Sequence, residues 1–166
     1  MDKTYEPIAT QTLGSAAASV TFSSIPQTYT DLILVVNPIV TSATTFAVRY
    51  NNVSTGTPYS ATFLYGDGTS AASARVSNQN EIRVSYAATS RSTNTGNIIV
   101  NIFNYSNTTT YKTNLSRENY AGEASGVNVG LWRSTAAITQ IDLIPVSGGT
   151  IINTGTVVTL YGIKAA

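Results

Sequence analysis

Eight carboxylates are the main acid–base groups of this sequence, because the chain has no histidine and no cysteine. That composition excludes thiolate nucleophiles, Ser-His and Cys-His dyads, disulfides and Cys/His zinc sites. Glycoside hydrolysis is still open, since it needs two carboxylates about 5–10 Å apart across a cleft. Glu118 and Glu123 lie in an irregular stretch and could meet in this way. Neither belongs to a recognisable motif, so the sequence predicts no catalytic residue and no enzyme.

The segment YGDG (65–68) places Asp67 between two glycines. A calcium site needs several oxygen ligands at set spacing, which this segment does not supply. Glycine provides the positive φ that tight hairpin turns require. The segment therefore predicts a turn, and the sequence predicts no metal site and no cofactor.

Trp132, the one tryptophan of the chain, stands beside Arg133 in the segment GLWRS (130–134). Aromatic side chains combine a large apolar face with a polar handle, which suits both sugar stacking and protein interfaces. With Tyr111 and Tyr120, these residues form a candidate interface or glycan contact. The alternative is that Trp132 fills the core, or lies at a sheet edge with its indole N–H bonded to the backbone.

The charge content is low and nearly balanced. Nine basic and eight acidic residues give a net charge of +1, and charged residues make up 10% of the chain, against about 25% in an average protein. No basic stripe is present, so binding to nucleic acid is not expected. The longest hydrophobic run, 32–40, is too short to span a bilayer, and no secretory signal precedes it. Ser, Thr and Asn make up about a third of the residues, and such neutral surfaces associate readily.

Apolar and polar residues alternate with a period of two along most of the chain. In NEIRVSYA (80–87), for example, Ile82, Val84 and Tyr86 share one face, as in a half-buried strand. Strands are predicted at 5–13, 18–25, 30–37, 44–51, 60–65, 80–87, 97–105, 109–117, 126–133, 138–146 and 156–163. No stretch of ten residues has helical periodicity. The sequence therefore predicts an all-β fold: a two-sheet antiparallel β-sandwich, jelly-roll-like, of about ten strands. It is expected to form a single domain over 1–166, with residues 1–7 as a short N-terminal arm.

Two predicted strands are apolar on both faces, at 30–37 and 138–146. In the first, Ile33 and Val35 point away from the face that carries Leu32, Leu34 and Val36. A terminal segment or loop of the same chain could cover that second face. Alternatively, Ile33 and Val35 form an oligomer face packed on a neighbouring subunit.

Four runs of the sequence together resemble a family of small virion proteins of tailed bacteriophages, of the capsid-decoration and tail-fibre type found in cyanophages and marine phages. They are SSIPQTYTDLILVV (23–36), FNYSNTTTYKTNLSR (103–117), VGLWRSTAAITQIDLIP (129–145) and TLYGIKAA (159–166). The resemblance covers almost the whole chain, with the runs in the same order. It implies a jelly-roll-like structural domain displayed on the particle in several copies, and it brings no set of functional residues.

The function predicted from residues and resemblance together is that of a bacteriophage virion structural protein. It would be a surface subunit that decorates the capsid or forms part of the tail and acts through multivalent assembly contacts. Its expected partners are other copies of itself, as a trimer, and major capsid or tail proteins. The alternative is a host-recognition module at a tail-fibre tip that binds cell-surface glycan.

Overall fold

The computed structural model describes residues 4–85, 96–120, 124–146, 148–149 and 152–164. This part of the chain contains twelve β-strands and no helix, and hence no helix that could span a membrane. The strands are β1 (Tyr5–Thr12), β2 (Val20–Phe22), β3 (Asp31–Asn37), β4 (Phe46–Tyr50), β5 (Tyr59–Gly66), β6 (Ala71–Gln79), β7 (Ile82–Arg83), β8 (Gly96–Phe103), β9 (Lys112–Tyr120), β10 (Ala124–Trp132), β11 (Ile141–Pro145) and β12 (Val157–Ile163).

The strands form two antiparallel sheets of unequal size. The large sheet has eight strands in the order β1-β12-β3-β8-β9-β10-β5-β6, and the small sheet has four in the order β2-β11-β4-β7. This arrangement confirms the predicted all-β, two-sheet antiparallel sandwich. It does not confirm the jelly-roll connectivity, which stays a prediction.

The core lies between the sheets and follows the period of two. In β3, Leu32, Leu34 and Val36 are fully buried, and the same alternation continues in β12 with Val158 and Leu160. Phe46, Val48 and Tyr50 of β4 belong to the same cluster from the small sheet. Because successive side chains of a strand point to opposite faces, each buried set fixes which residues face outward.

Three sequence predictions need correction, two at the edges of the large sheet and one in the small sheet. Residues 5–7 are not an arm, because they belong to β1 and pair with β12 from Tyr5↔Ile163 onward; residues 1–3 lie outside the described part. Strand β6 was not predicted, since Ala and Ser have weak strand preferences. It forms an antiparallel ladder with β5, regular from Ala61 to Gly66 and interrupted between Tyr59 and Ala61. Of the predicted strand 80–87, only Ile82–Arg83 is a strand, and Tyr86 lies outside the described residues.

The strands β9 and β10 carry their polar residues inward. Lys112, Asn114, Ser116 and Glu118 of β9 are buried between the sheets, and Asn128 of β10 is 1% exposed. The Lys112 Nζ donates to the carbonyls of Thr110 and Thr135, at 2.8 and 3.2 Å. A strand face of this kind is unusual, because burying polar groups costs free energy unless they are hydrogen-bonded.

Large aromatic residues and glycines determine that the polar residues of β9 and β10 face inward. Trp132 at the end of β10 and Tyr120 at the end of β9 are each 2% exposed, and a shift of one residue would turn them outward. Between them, a Cβ at Gly130 would lie 2.3 Å from Ile82 Cγ2 and 2.4 Å from Asn114 Oδ1. Only glycine fits there. The apolar residues that alternate with these positions must therefore face outward.

Candidate assembly surface

The carboxylates form no cluster of three potential metal ligands within the described residues. Glu118 lies on the inner face of β9, and Glu123 falls outside the described residues, so the predicted pairing of the two is not described. Asp142 on β11 is held by the Thr21 hydroxyl at 2.7 Å and by the Gln140 amide at 2.9 Å.

Asp67 lies in the hairpin turn that joins β5 to β6, as predicted. Its Oδ1 accepts the backbone N–H groups of Thr69 and Ser70 at 2.9 and 2.7 Å, and Gly68 has φ +86°. These hydrogen bonds, the one from Ser70 first, hold the pKa of Asp67 well below its ordinary value. The carboxylate of Asp67 therefore stabilises the turn through hydrogen bonds to the backbone of its own loop.

Trp132 is part of the core. It packs against Tyr50 and Tyr59, with ring-centroid distances of 5.6 and 6.2 Å. Tyr59 is fully buried, and its hydroxyl accepts from the Tyr50 backbone N–H at 3.1 Å; burial raises the pKa of Tyr59 to about 12. The suggestion that Trp132 stacks on a sugar or on a partner protein is therefore corrected, because its side chain is 2% exposed.

The other three candidate contact residues do not form one surface with Trp132. Tyr120 is buried, and burial raises its pKa, so it is corrected in the same way. Arg133 donates to the Thr57 carbonyl at 2.6 Å and to Asn78 Oδ1 at 3.0 Å. Tyr111 is 56% exposed and is free to make contacts. Of the four, Tyr111 alone has a largely exposed side chain.

Ile33 and Val35 lie on the outer face of the large sheet. Both are half-buried by neighbouring side chains of that face, whereas Leu32, Leu34 and Val36 are fully buried on the other. They line a shallow depression of about 210 Å³. Its other lining residues are Tyr5, Ile99, Arg117 and Tyr161. The structure thus places the two residues side by side at the surface, and whether they bind a neighbour stays a prediction.

A second group of apolar residues is exposed on the other half of the sheet, beyond Asn101 and Arg117 at its centre. Leu64 of β5 is 63% exposed, and Val127 and Val129 of β10 are 44% and 53% exposed. Leu115 and Leu131 lie among them, half-buried. We call this set, together with Ile33, Val35 and Ile99, the outer apolar face. Contiguous exposed apolar patches on a soluble protein usually mark interaction sites.

Sequence reasoning did not identify the β5 and β10 part of this face. The alternation of Val127, Asn128 and Val129 is visible in the sequence, but alternation alone does not tell which set faces the core. The available signal was the pair of glycines at 126 and 130, in phase with Trp132. When glycines alternate on the same face of a strand as a large aromatic residue, that face is the one packed against the core.

Comparison with known proteins adds no family to these observations. No protein-family model matches the sequence, and no curated protein matches it at a significant level. The resemblance to phage virion proteins therefore stays a prediction.

Proposed function

We propose that this chain is a bacteriophage virion structural protein, a surface subunit that decorates the capsid or forms part of the tail. It acts by multivalent assembly contacts with other copies and with major capsid or tail proteins, and its location is the virion. The observation that carries the proposal is the outer apolar face. A chain that buries Asn and Ser while exposing Val and Leu on the same two strands is built to have its outside covered.

The remaining surface supports the same role. With 10% charged residues, copies of the chain have little electrostatic repulsion to keep them apart. The described carboxylates are engaged in turns, ion pairs and hydrogen bonds of the fold, as with Arg49 and Glu81 at 3.2 Å. A rigid sandwich with one open apolar side suits a subunit that is added to a larger assembly.

The host-recognition alternative has less support from the geometry. It relied on Trp132 as the platform for a glycan, and Trp132 is 2% exposed. A Trp132 buried between the sheets favours a structural subunit, because the largest aromatic surface then stabilises the domain.

Protein mass spectrometry of purified particles tests the proposal. Particles of the phage that encodes the chain are banded in a density gradient, and the copy number of the chain is measured against the major capsid protein. We expect many copies per particle that stay bound through the gradient. A chain found only in the soluble fraction of the lysate, with none in the particles, would overturn the proposal.

A further inference from the structure

The outer apolar face is organised in two rows that cross the large sheet. The strand registers place one residue from each of β3, β8, β9, β10 and β5 in each row. The first row is Val35, Ile99, Arg117, Val127 and Leu64. The second row is Ile33, Asn101, Leu115, Val129 and Thr62. Both rows carry aliphatic residues on β3 and again on β10.

The two halves of the face differ in exposure. On the β10 and β5 side Leu64, Val127 and Val129 are between 44% and 63% exposed, and Leu64 and Val127 also line a depression of about 490 Å³. On the β3 side Ile33 and Val35 are half-buried and line the shallow depression. A second, inverted copy would place the half-buried aliphatic residues of one half over the more exposed aliphatic residues of the other.

We propose that the outer apolar face binds the same face of a second copy around a two-fold axis that runs parallel to the strands, between β8 and β9. This axis divides the eight-stranded order into four strands on each side. It places β3 over β10 of the second copy, so Val35 meets Val127 and Ile33 meets Val129. This inference deepens the proposed function and rests on it, and it proposes a dimer in place of the trimer expected from the sequence.

The position of Arg117 separates the possible axes. An axis along β9 itself would place Arg117 over its own copy, whereas an axis between β8 and β9 places it over Ile99. The aliphatic stem of arginine packs well on an apolar side chain. An axis perpendicular to the strands would instead place Val127 over Val129, so that the more exposed residues would face each other and not the half-buried ones.

The outer surface of the whole large sheet is sufficient for a stable pair, and the outer apolar face is its central part, on five of the eight strands. Eight strands about 4.8 Å apart and about seven residues long, at roughly 3.3 Å per residue, give an outer surface of roughly 34 by 23 Å. That is roughly 800 Å² on each partner, about what each side contributes to a standard stable interface. Two twisted sheets pack in this way with their strands about 30° apart.

Cross-linking tests the pairing, and the absence of cysteine from the chain makes introduced cysteines unambiguous. Sheets pack about 10 Å apart, too far for a disulfide between facing positions, so the reagent is a short bismaleimide. The variant is Val35→Cys combined with Val127→Cys, and the products are read by denaturing gel and intact mass. We expect a covalent dimer as the main product, and also from an equal mixture of the two single variants.

Matched controls separate the pairing from random collision. Each single variant alone should give little dimer, because each cysteine then faces a valine. Ser19→Cys, exposed outside the large sheet, measures collision. If the first pair of substitutions weakens folding or association, Ile33→Cys with Val129→Cys tests the same axis in the second row.

Three results would overturn the two-fold pairing. They are no dimer from either double variant while each stays folded, cross-linking by Val127→Cys alone, and a ladder of trimers and larger products. Failure of the pairing is distinguishable from failure of the proposed function. Mass spectrometry of particles reports whether the chain is in the virion whether or not the cross-links form.

Discussion

Trp132, Tyr50 and Tyr59 form the aromatic centre of the sandwich and also decide what lies outside it. Because Trp132 faces inward, Gly130 and Asn128 face inward with it, and Val129 and Val127 face outward. The Oδ1 atoms of Asn114 and Asn128 are buried and accept no hydrogen bond from the described residues. The burial of one ring thus places polar side chains on the inner face of β10, which costs free energy, and apolar side chains on its outer face.

Replacing Trp132 by alanine should cost stability rather than surface binding. Trp132→Ala removes a buried ring between Tyr50 and Tyr59, and we expect the free energy of unfolding to fall by about 3–5 kcal/mol. Urea unfolding followed by circular dichroism measures it. Tyr111→Ala is the matched control, since Tyr111 is 56% exposed and its loss should change the free energy by less than about 0.5 kcal/mol. Equal, small effects of the two substitutions would show that Trp132 is not core.

The buried tyrosines should make the fold sensitive to alkali. Burial raises the pKa of Tyr59 from its ordinary 10.0 to about 12, and it also raises the pKa of Tyr50. Above about pH 10 the unfolded chain loses these protons while the folded chain keeps them, so stability falls as the pH rises. The slope from each tyrosine is about 1.4 kcal/mol per pH unit between its two pKa values.

Urea unfolding at about pH 9 and about pH 11 measures this loss. Tyr59→Phe serves as the comparison, because it cannot ionise. Its free energy of unfolding starts lower, since three hydrogen bonds of the hydroxyl are lost, but it should fall less between the two pH values. A wild-type stability that is unchanged up to about pH 11 would contradict the account.

At the scale of elements, most strands were predictable and the two faces of β9 and β10 were not. The runs at 30–37 and 156–163 appear as β3 and β12 because alternating aliphatic residues need a sheet with one buried face. In β10, alternation was equally clear, but the side that faces the core depends on contacts with Ile82 and Asn114. Such contacts join distant parts of the chain, so local pattern does not contain them.

The same limit explains the candidate site. Ile33 and Val35 were found because both faces of β3 are apolar, and that is a local property of the sequence. Val127, Val129 and Leu64 were missed because each belongs to a strand whose apolar residues look like a core face. Exposed aromatic residues were expected at the surface, yet Trp132 and Tyr120 are held inside by the register of β9 and β10.

Adjacent residues of β3 provide a test of the two faces. Ile33→Asp should leave the chain folded and weaken self-association at least about 30-fold, corresponding to roughly 2 kcal/mol for a hot-spot residue. Leu34→Asp, one residue along, places a charge at a position that is 0% exposed and should unfold the domain. Sedimentation equilibrium reports association, and thermal melting reports folding. If Ile33→Asp also unfolds the chain, Ile33 is core and the outer face is covered from within.

At the scale of the whole molecule, the two outer faces of the sandwich differ in chemistry. The small sheet presents a polar row in which Thr21, Asp142 and Arg49 lie side by side on β2, β11 and β4. The large sheet presents the outer apolar face. In the proposed pairing, the large sheet would face the second copy and the small sheet would face away from it.

The solution mass of the unmodified chain, measured by light scattering over a range of protein and salt concentrations, tests the central claim most directly. The account predicts a dimer of twice the 17.5 kDa chain mass that persists at high salt, because apolar contacts are not screened as ion pairs are. A trimer would contradict the two-fold pairing. A monomer at every concentration would contradict self-association through the outer apolar face.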